Sequence, residues 1–467
     1  MAPRRAKIVC TLGPAVDSDD AVLALARAGM DVARLNFSHG DPRDHVERVR
    51  RVREASRSVG RPIAVLQDLA GPKLRTASEG FPPGLVTGET VDLVAGTRGS
   101  SEVIAVDYPT LAQDVQPGDA VLLADGHVAL RVRALRGDRV HCDVEHGGAL
   151  RARMGVALPS ARVRGGALTE KDRRDVALGL ELGVDWLALS FVRRPTDLDE
   201  LRALLDGAAH PPAIVAKIET AQAVAHLDAI VAAADASMVA RGDLGVELPP
   251  ETLPGVQKTI LGACRAHQRP AIVATEMLQS MVTSPRPTRA EASDVAGAVF
   301  DGADAVMLSA ETATGAHPID ACATMDRIVR EAEASRFYGP PASVPDGTVP
   351  EAVAESACQL ARTVRARVIV ALTTSGDTAR LVSKARPPVP ILALSQQPRT
   401  LARLALAWGI LPRPLELLRD ADEMSRRAAV LLQEHGLAGP GDRFVLVYGG
   451  PLGQRGATNA LRVEVVP

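Results

Sequence analysis

The sequence is short of aromatic residues: Phe, Tyr and Trp together make up 2% of its 467 residues. Its cores must therefore be filled by Leu, Val and Ala. It is also short of lysine. Of 54 basic residues only Lys7, Lys73, Lys171, Lys217, Lys258 and Lys384 are Lys. Arg presents a planar fork and Lys a compact, strongly hydrated point charge, so each retained Lys marks a place where a point charge can matter. An excess of charge of one sign is absent too. The net charge of −2 and the lack of a basic run argue against a nucleic-acid partner. No apolar run approaches about 18 residues, so no membrane-spanning helix is expected. The N-terminal "MAPRRAKIVC" has no signal-peptide apolar core. Cys10, Cys142, Cys264, Cys322 and Cys358 are scattered, with no CxxC pair. That pattern reads as free, mostly buried thiols in a reducing cytoplasm.

The length suggests about three domains. Short apolar runs recur at 7–13, 31–38, 62–69, 185–192, 213–219, 236–243, 270–277 and 304–311. Amphipathic helix patterns separate most of them and often finish at Gly. Eight βα units in series predict an α/β fold built on a (β/α)8 TIM barrel. After Pro72 the text changes. Stretches such as "TGETVDLVAG" and "DAVLLADGHVALRVRAL" alternate apolar and polar residues between Gly-Asp and Asp-Gly turns, which predicts antiparallel β. A small β-barrel lid domain is thus expected in the loop after the third barrel strand. "ASRFYGPPASVPDGTVP" (334–350) reads as a linker to a C-terminal α/β domain. The expected division is barrel 1–71, lid 72–158, barrel 159–338 and C-terminal domain 348–467.

Active sites of such barrels lie at the C-terminal ends of the strands. Seven of those ends carry polar groups: Arg34, Asn36 and Ser38; Asp68; Ser190; Lys217 and Glu219; Arg241, Gly242 and Asp243; Thr275 and Glu276; Ser309 and Glu311. Charges in apolar strands are costly unless paired or bound. Glu219 and Asp243 end consecutive strands, about 4.8 Å apart in a sheet. They can share one hard cation, and two carboxylates with water and substrate oxygens suit Mg2+. The plain structural alternative pairs them with Arg34 and Arg241. Lys217 faces the same way as Glu219. An ammonium beside a carboxylate-held Mg2+ suits phosphoryl transfer, but a Lys–Glu structural pair would look the same.

Longer motifs then add up. "KIVCTLGPA", "GMDVARLNFSHG", "LQDLAGPKLRT", "AKIET", "MVARGDLGVELP", "TEMLQSM", "DGADAVMLSAETATG" and "SGDTARLVSKARP" follow one another in an order that resembles the pyruvate kinases over essentially the whole chain. The resemblance implies phosphoryl transfer from phosphoenolpyruvate to ADP in the last step of glycolysis, a need for Mg2+ or Mn2+, and a cytoplasmic homotetramer. It implies that Lys217 stabilises the phosphoryl group in flight, that Arg34 holds it, and that Glu219 and Asp243 bind the metal. Gly242, Asp243 and Thr275 would cradle the substrate carboxylate. Thr275 and Ser309 would serve the proton step. Asn36, Ser38, His39 and Arg75 would lie on the nucleotide side, with Asp125 reaching in from the lid.

The chain departs from the family in three places. Met154 stands where a lid lysine is common, which leaves Arg153 as a substitute. Glu276 replaces a frequent Gln. Lys73 and Leu69 replace the Glu and hydroxyl residue of members that bind K+ among the positions of Asn36, Ser38 and Asp68. Lys73 therefore resembles a tethered stand-in for K+, and activity without K+ is expected. "TTSGDTAR" (373–380) offers hydroxyls and a helix N-terminus to a phosphorylated effector, although Asp377 disfavours an anion there. The competing readings are another phosphoenolpyruvate-handling barrel, which would leave lid and third domain unexplained, and an inactive regulatory paralogue.

Overall fold

The computed structural model describes residues 3–159, 165–339, 347–416, 420–450 and 458–467. Eight parallel strands close into a barrel: Lys7–Leu12, Val32–Asn36, Ala64–Asp68, Trp186–Leu189, Ala213–Ile218, Ala236–Ala240, Ala271–Ala274 and Ala305–Leu308. Closure is visible at Cys10, which is in register with Ala33 on one side and Leu308 on the other. The strands are buried on both faces, as a sheet covered by helices outside and packed on itself inside must be. Side chains alternate accordingly. Val9 points into the barrel with Val32, Ala64 and Met238, while Ile8 and Cys10 face the helix layer. Several runs read as strand to 219, 243 or 277 stop short of that. Arg241–Glu247 is a helix, so Asp243 sits in its first turn.

The lid is a curled six-stranded sheet with its own apolar core. One pairing differs from expectation. Thr90–Ala95 runs parallel, not antiparallel, to Val103–Val106. The connection between them cannot form a hairpin because it is tied elsewhere: Arg98 bridges Glu79, and Gly99 N donates to Glu79 O. The chain enters the lid through Gly71, whose φ of +66° and close neighbours admit no Cβ. An added one would lie 2.9 Å from both Ser190 Cβ and Phe191 Cδ2.

The centre of the expected linker, 340–346, lies outside the described residues. The C-terminal domain is a five-stranded sheet, four strands parallel and the last, Thr458–Val465, antiparallel. It seals the N-terminal end of the barrel. Ala405 and Leu406 are buried in the barrel's interior cluster. Lys7 Nζ donates to Ile410 O at 2.6 Å, and Lys384 Nζ donates to Asp304 Oδ2 at 2.6 Å. All five cysteines are buried free thiols. Among the described residues no helix is long and apolar enough to cross a membrane.

Candidate active site

At the opposite end of the barrel, four charged side chains from three strand ends meet out of water. Arg34 Nε donates to Asp68 Oδ2 at 2.7 Å and its other arm to Thr11 Oγ1 at 3.0 Å. Lys217 Nζ donates to Ser190 Oγ at 2.7 Å and lies 3.2 Å from Asp68 Oδ1 and 2.8 Å from Glu219 Oε1. Burial alone would lower the Lys217 ammonium, but Asp68 and Glu219 outweigh it and raise it to about 12. Asp68 is held below the usual carboxylate range, because Lys217 and Arg34 overcome its burial. Glu219 moves the other way: burial raises it, and the nearby Asp243 charge adds to the rise despite Lys217. The opposed directions of Asp68 and Glu219 follow from their neighbours: Asp68 lies between two cations, whereas Glu219 has a second carboxylate beside it as well as Lys217.

Glu219 also has an unsatisfied atom. Its Oε2 accepts from Phe191 N at 2.7 Å, but Oε1, although near Lys217, is buried without a hydrogen bond. Phe191 reaches this contact with a φ of +55°, uncommon for a bulky residue. A buried carboxylate oxygen whose near donor, the Lys217 ammonium at 2.8 Å, is out of hydrogen-bond geometry, beside a second carboxylate, fits a cation. Among the described residues no three His, Cys, Asp or Glu side chains gather as a closed metal cage. Two carboxylates that leave other positions to water and substrate match Mg2+ better than a fully protein-ligated ion.

The structure does not pair Glu219 and Asp243 with Arg34 and Arg241, the plain structural alternative. Arg241 turns away to Asp294 at 2.7 Å and to the Thr275 carbonyl at 2.7 Å. The partner of Asp243 is Lys73, whose Nζ lies 2.9 Å from Oδ1. Lys73 was expected beside Asn36, Ser38 and Asp68. Asn36 Oδ1 instead accepts from Ser38 N at 3.1 Å, and Asp68 is taken by Arg34 and Lys217. Sequence spacing could not reveal this, because it depends on the path of the chain leaving Gly71.

Thr275 sits at φ +69° and Glu276 at φ +56°, a strained pair for non-glycine residues. Thr275 Oγ1 accepts from Gly242 N at 2.7 Å and donates to Ala274 O at 2.6 Å. One expected amide of the carboxylate cradle is thus already engaged. Glu276 is exposed at the rim. Ser309 Oγ is buried with no hydrogen-bond partner. From the lid, Asp125 lines one cleft with Lys73, Phe191, Glu219 and Asp243. Half-buried Arg75 donates to the carbonyl of exposed Arg153 at 3.0 Å, which joins the two at the lid's edge. Met154 turns into the lid core. His39 is exposed beside the barrel mouth, its carbonyl held by His45 at 3.1 Å. Glu247 carried no sequence signal beyond its place one helical turn after Asp243. It lines the same cleft, and burial pushes it up to about 7.

A barrel with an inserted lid domain and a buried lysine–carboxylate cluster at its mouth fits an enzyme of the phosphotransferase class. Comparison with known proteins narrows the class. Residues 3–322 match the pyruvate kinase barrel domain, and residues 351–464 match the pyruvate kinase alpha/beta domain. A pyruvate kinase of Agrobacterium vitis is 45% identical over 98% of this chain and 96% of its own length. One from Mycobacterium tuberculosis is 45% identical over 99% of this chain and 98% of its own. The crystal structure of a pyruvate kinase from Cryptosporidium parvum superposes with a TM-score of 0.93 at 35% identity, covering 99% of this chain and 96% of that one. The chain belongs to the pyruvate kinase family.

Proposed function

We propose a residue-level account of the reaction, in which the phosphoryl group of phosphoenolpyruvate passes to ADP, giving ATP and pyruvate. The chain catalyses this transfer, and the observation that carries the residue roles is the buried Lys217 clamp. Its ammonium is fixed by Ser190, Asp68 and Glu219 and is fully charged at neutral pH. It therefore meets charge developing on the phosphoryl oxygens without reorganising. Arg34, oriented by Asp68 and Thr11, supplies a second cation to the same group. Glu219 and Asp243 hold Mg2+ or Mn2+, which when bound neutralises phosphate charge and orients substrate oxygens.

The substrate carboxylate lies against the Gly242 and Asp243 amides and Thr275, and displaces or shares the Thr275 hydroxyl. Because that hydroxyl donates to Ala274 O, it orders the proton step rather than supplying the proton. Unpartnered Ser309 Oγ offers a place for a water in the relay. Asn36, Ser38, His39, Arg75, Arg153 and Asp125 face the nucleotide. The domains divide at 1–71, 72–158, 159–338 and 348–467, and the chain assembles as the homotetramer the family suggests. A phosphorylated effector at 373–380 has less support, since Ser375 Oγ already donates to Asp377 Oδ2 at 2.5 Å.

Lys73 is read as a built-in monovalent charge, with Asp243 rather than Asp68 as its partner. Pyruvate formation with Mg2+ in Tris buffer should run equally with and without K+. The variant Lys73→Glu should lose rate and gain dependence on K+. A large K+ stimulation of the unaltered enzyme would discard this role for Lys73 and keep the kinase.

A further inference from the structure

Lys73 holds one of the two carboxylate oxygens that Asp243 would offer a divalent ion. Its Nζ is 2.9 Å from Asp243 Oδ1, and both side chains are about one-third exposed, at 34% and 33%. An ammonium and a divalent cation repel, so they cannot both use that oxygen at full strength. Lys73 is also not free to swing like a surface lysine. Upstream, Gly71 N donates to the buried Asp172 at 3.2 Å, and Lys73 N donates to Gly71 O at 3.0 Å. Downstream, Leu74 O accepts from Val156 N at 2.9 Å, and Arg75 bridges Gly155. A Cβ at Gly155 would lie 3.3 Å from Lys73 Cε and 3.5 Å from Asp125 Oδ1, so the returning lid strand packs directly on the lysine stem. The ion pair thus ties the segment that enters the lid to the metal carboxylate.

We propose that Lys73 is a tethered cation that competes with the divalent ion for Asp243, so that metal arrival displaces the Lys73 ammonium from the barrel rim. The inference rests on Glu219 and Asp243 being the metal carboxylates. It differs from a stand-in for K+ at a neighbouring site, which would leave divalent affinity unchanged.

The test is Mn2+ binding to the full-length protein without substrates, read from the free-ion electron paramagnetic resonance signal. Lys73→Met, and Lys73→Gln as a second variant should the first fold poorly, are expected to bind Mn2+ about fivefold more tightly, the factor an exposed ion pair carries. In an Asp243→Asn background the gain should vanish. Affinities within twofold of the unaltered protein for both Lys73 variants would overturn the competition. If Asp243→Asn then still weakened Mn2+ binding, the metal assignment would survive that failure. If Asp243→Asn bound Mn2+ as well as the unaltered protein, the metal assignment would fall, and the inference with it.

Discussion

The two ends of the barrel each bury a cluster of acids and bases, yet they are built for opposite ends. At the closed end, Asp304 meets Lys384 at 2.6 Å and Arg386 at 3.2 Å, and Arg386 lies 4.6 Å over the Trp408 ring. Residues of the C-terminal domain cover all of it. At the open end, Asp68, Glu219 and Asp243 meet Arg34, Lys217 and Lys73, and a cleft runs up to them. The protonation behaviour separates the two. Burial and Arg386 lower Lys384 despite Asp304, and burial lowers Lys7 to about 8. Lys217, with two carboxylates in reach, is raised to about 12. A cation that is costly to bury serves as a joint. A cation over-supplied with carboxylates serves as a tool, because its charge survives the changes around it.

Substitution should pull these roles apart. The largest effect is expected from Lys217→Met, which should lower kcat by about a thousandfold. Asp68 and Glu219 are left buried without that ammonium, so stability should fall too, by about 3 kcal/mol, and the folded fraction should stay nearly silent. A folded fraction that keeps its rate would erase the distinction between the two ends. Lys384→Met should cost stability alone. Leaving Asp304 buried without its ammonium should cost about 3 kcal/mol of stability in denaturant titration, with the folded fraction still active. A silent enzyme of unchanged stability would make the closed end part of the chemistry.

Gly71→Ala is a smaller change at the open end. The new Cβ collides with Ser190, the residue that holds Lys217, so kcat should fall by up to about a hundredfold. A rise in KM alone would place the effect in the lid. The smallest effect is a pH slope. Lys7 has a folded-state value lowered to about 8 from 10.5, so between these values the unfolded chain binds the extra proton and stability rises with pH. From pH 8 to 9 the gain over Lys7→Gln should be about 1 kcal/mol. Equal slopes for the two proteins would mean that Lys7 is not buried as described.

The open end was largely legible in the sequence, because a barrel strand has to be apolar and a charge at its end stands out. Arg34, Asp68, Lys217 and Glu219 were all visible that way. What stayed hidden depends on chain paths rather than on spacing. The Lys73–Asp243 contact follows from the turn at Gly71. The closed end was hidden for a different reason. "TLARLALAWG" has the period of an ordinary amphipathic helix, yet only Pro398–Leu404 is helical, and Ala405 and Leu406 continue into the barrel floor. Nothing in the local pattern distinguishes a residue buried in its own domain from one buried in a neighbour's. The parallel pairing in the lid was missed because alternation predicts a strand but not its direction.

The most direct test of the central claim is steady-state pyruvate formation by the unaltered protein, with phosphoenolpyruvate, ADP and Mg2+ each left out in turn. The account predicts turnover only when all three are present and none after chelation of the metal. A folded protein that forms no pyruvate with all three present would contradict it, and would make the open end a binding site rather than a catalytic one.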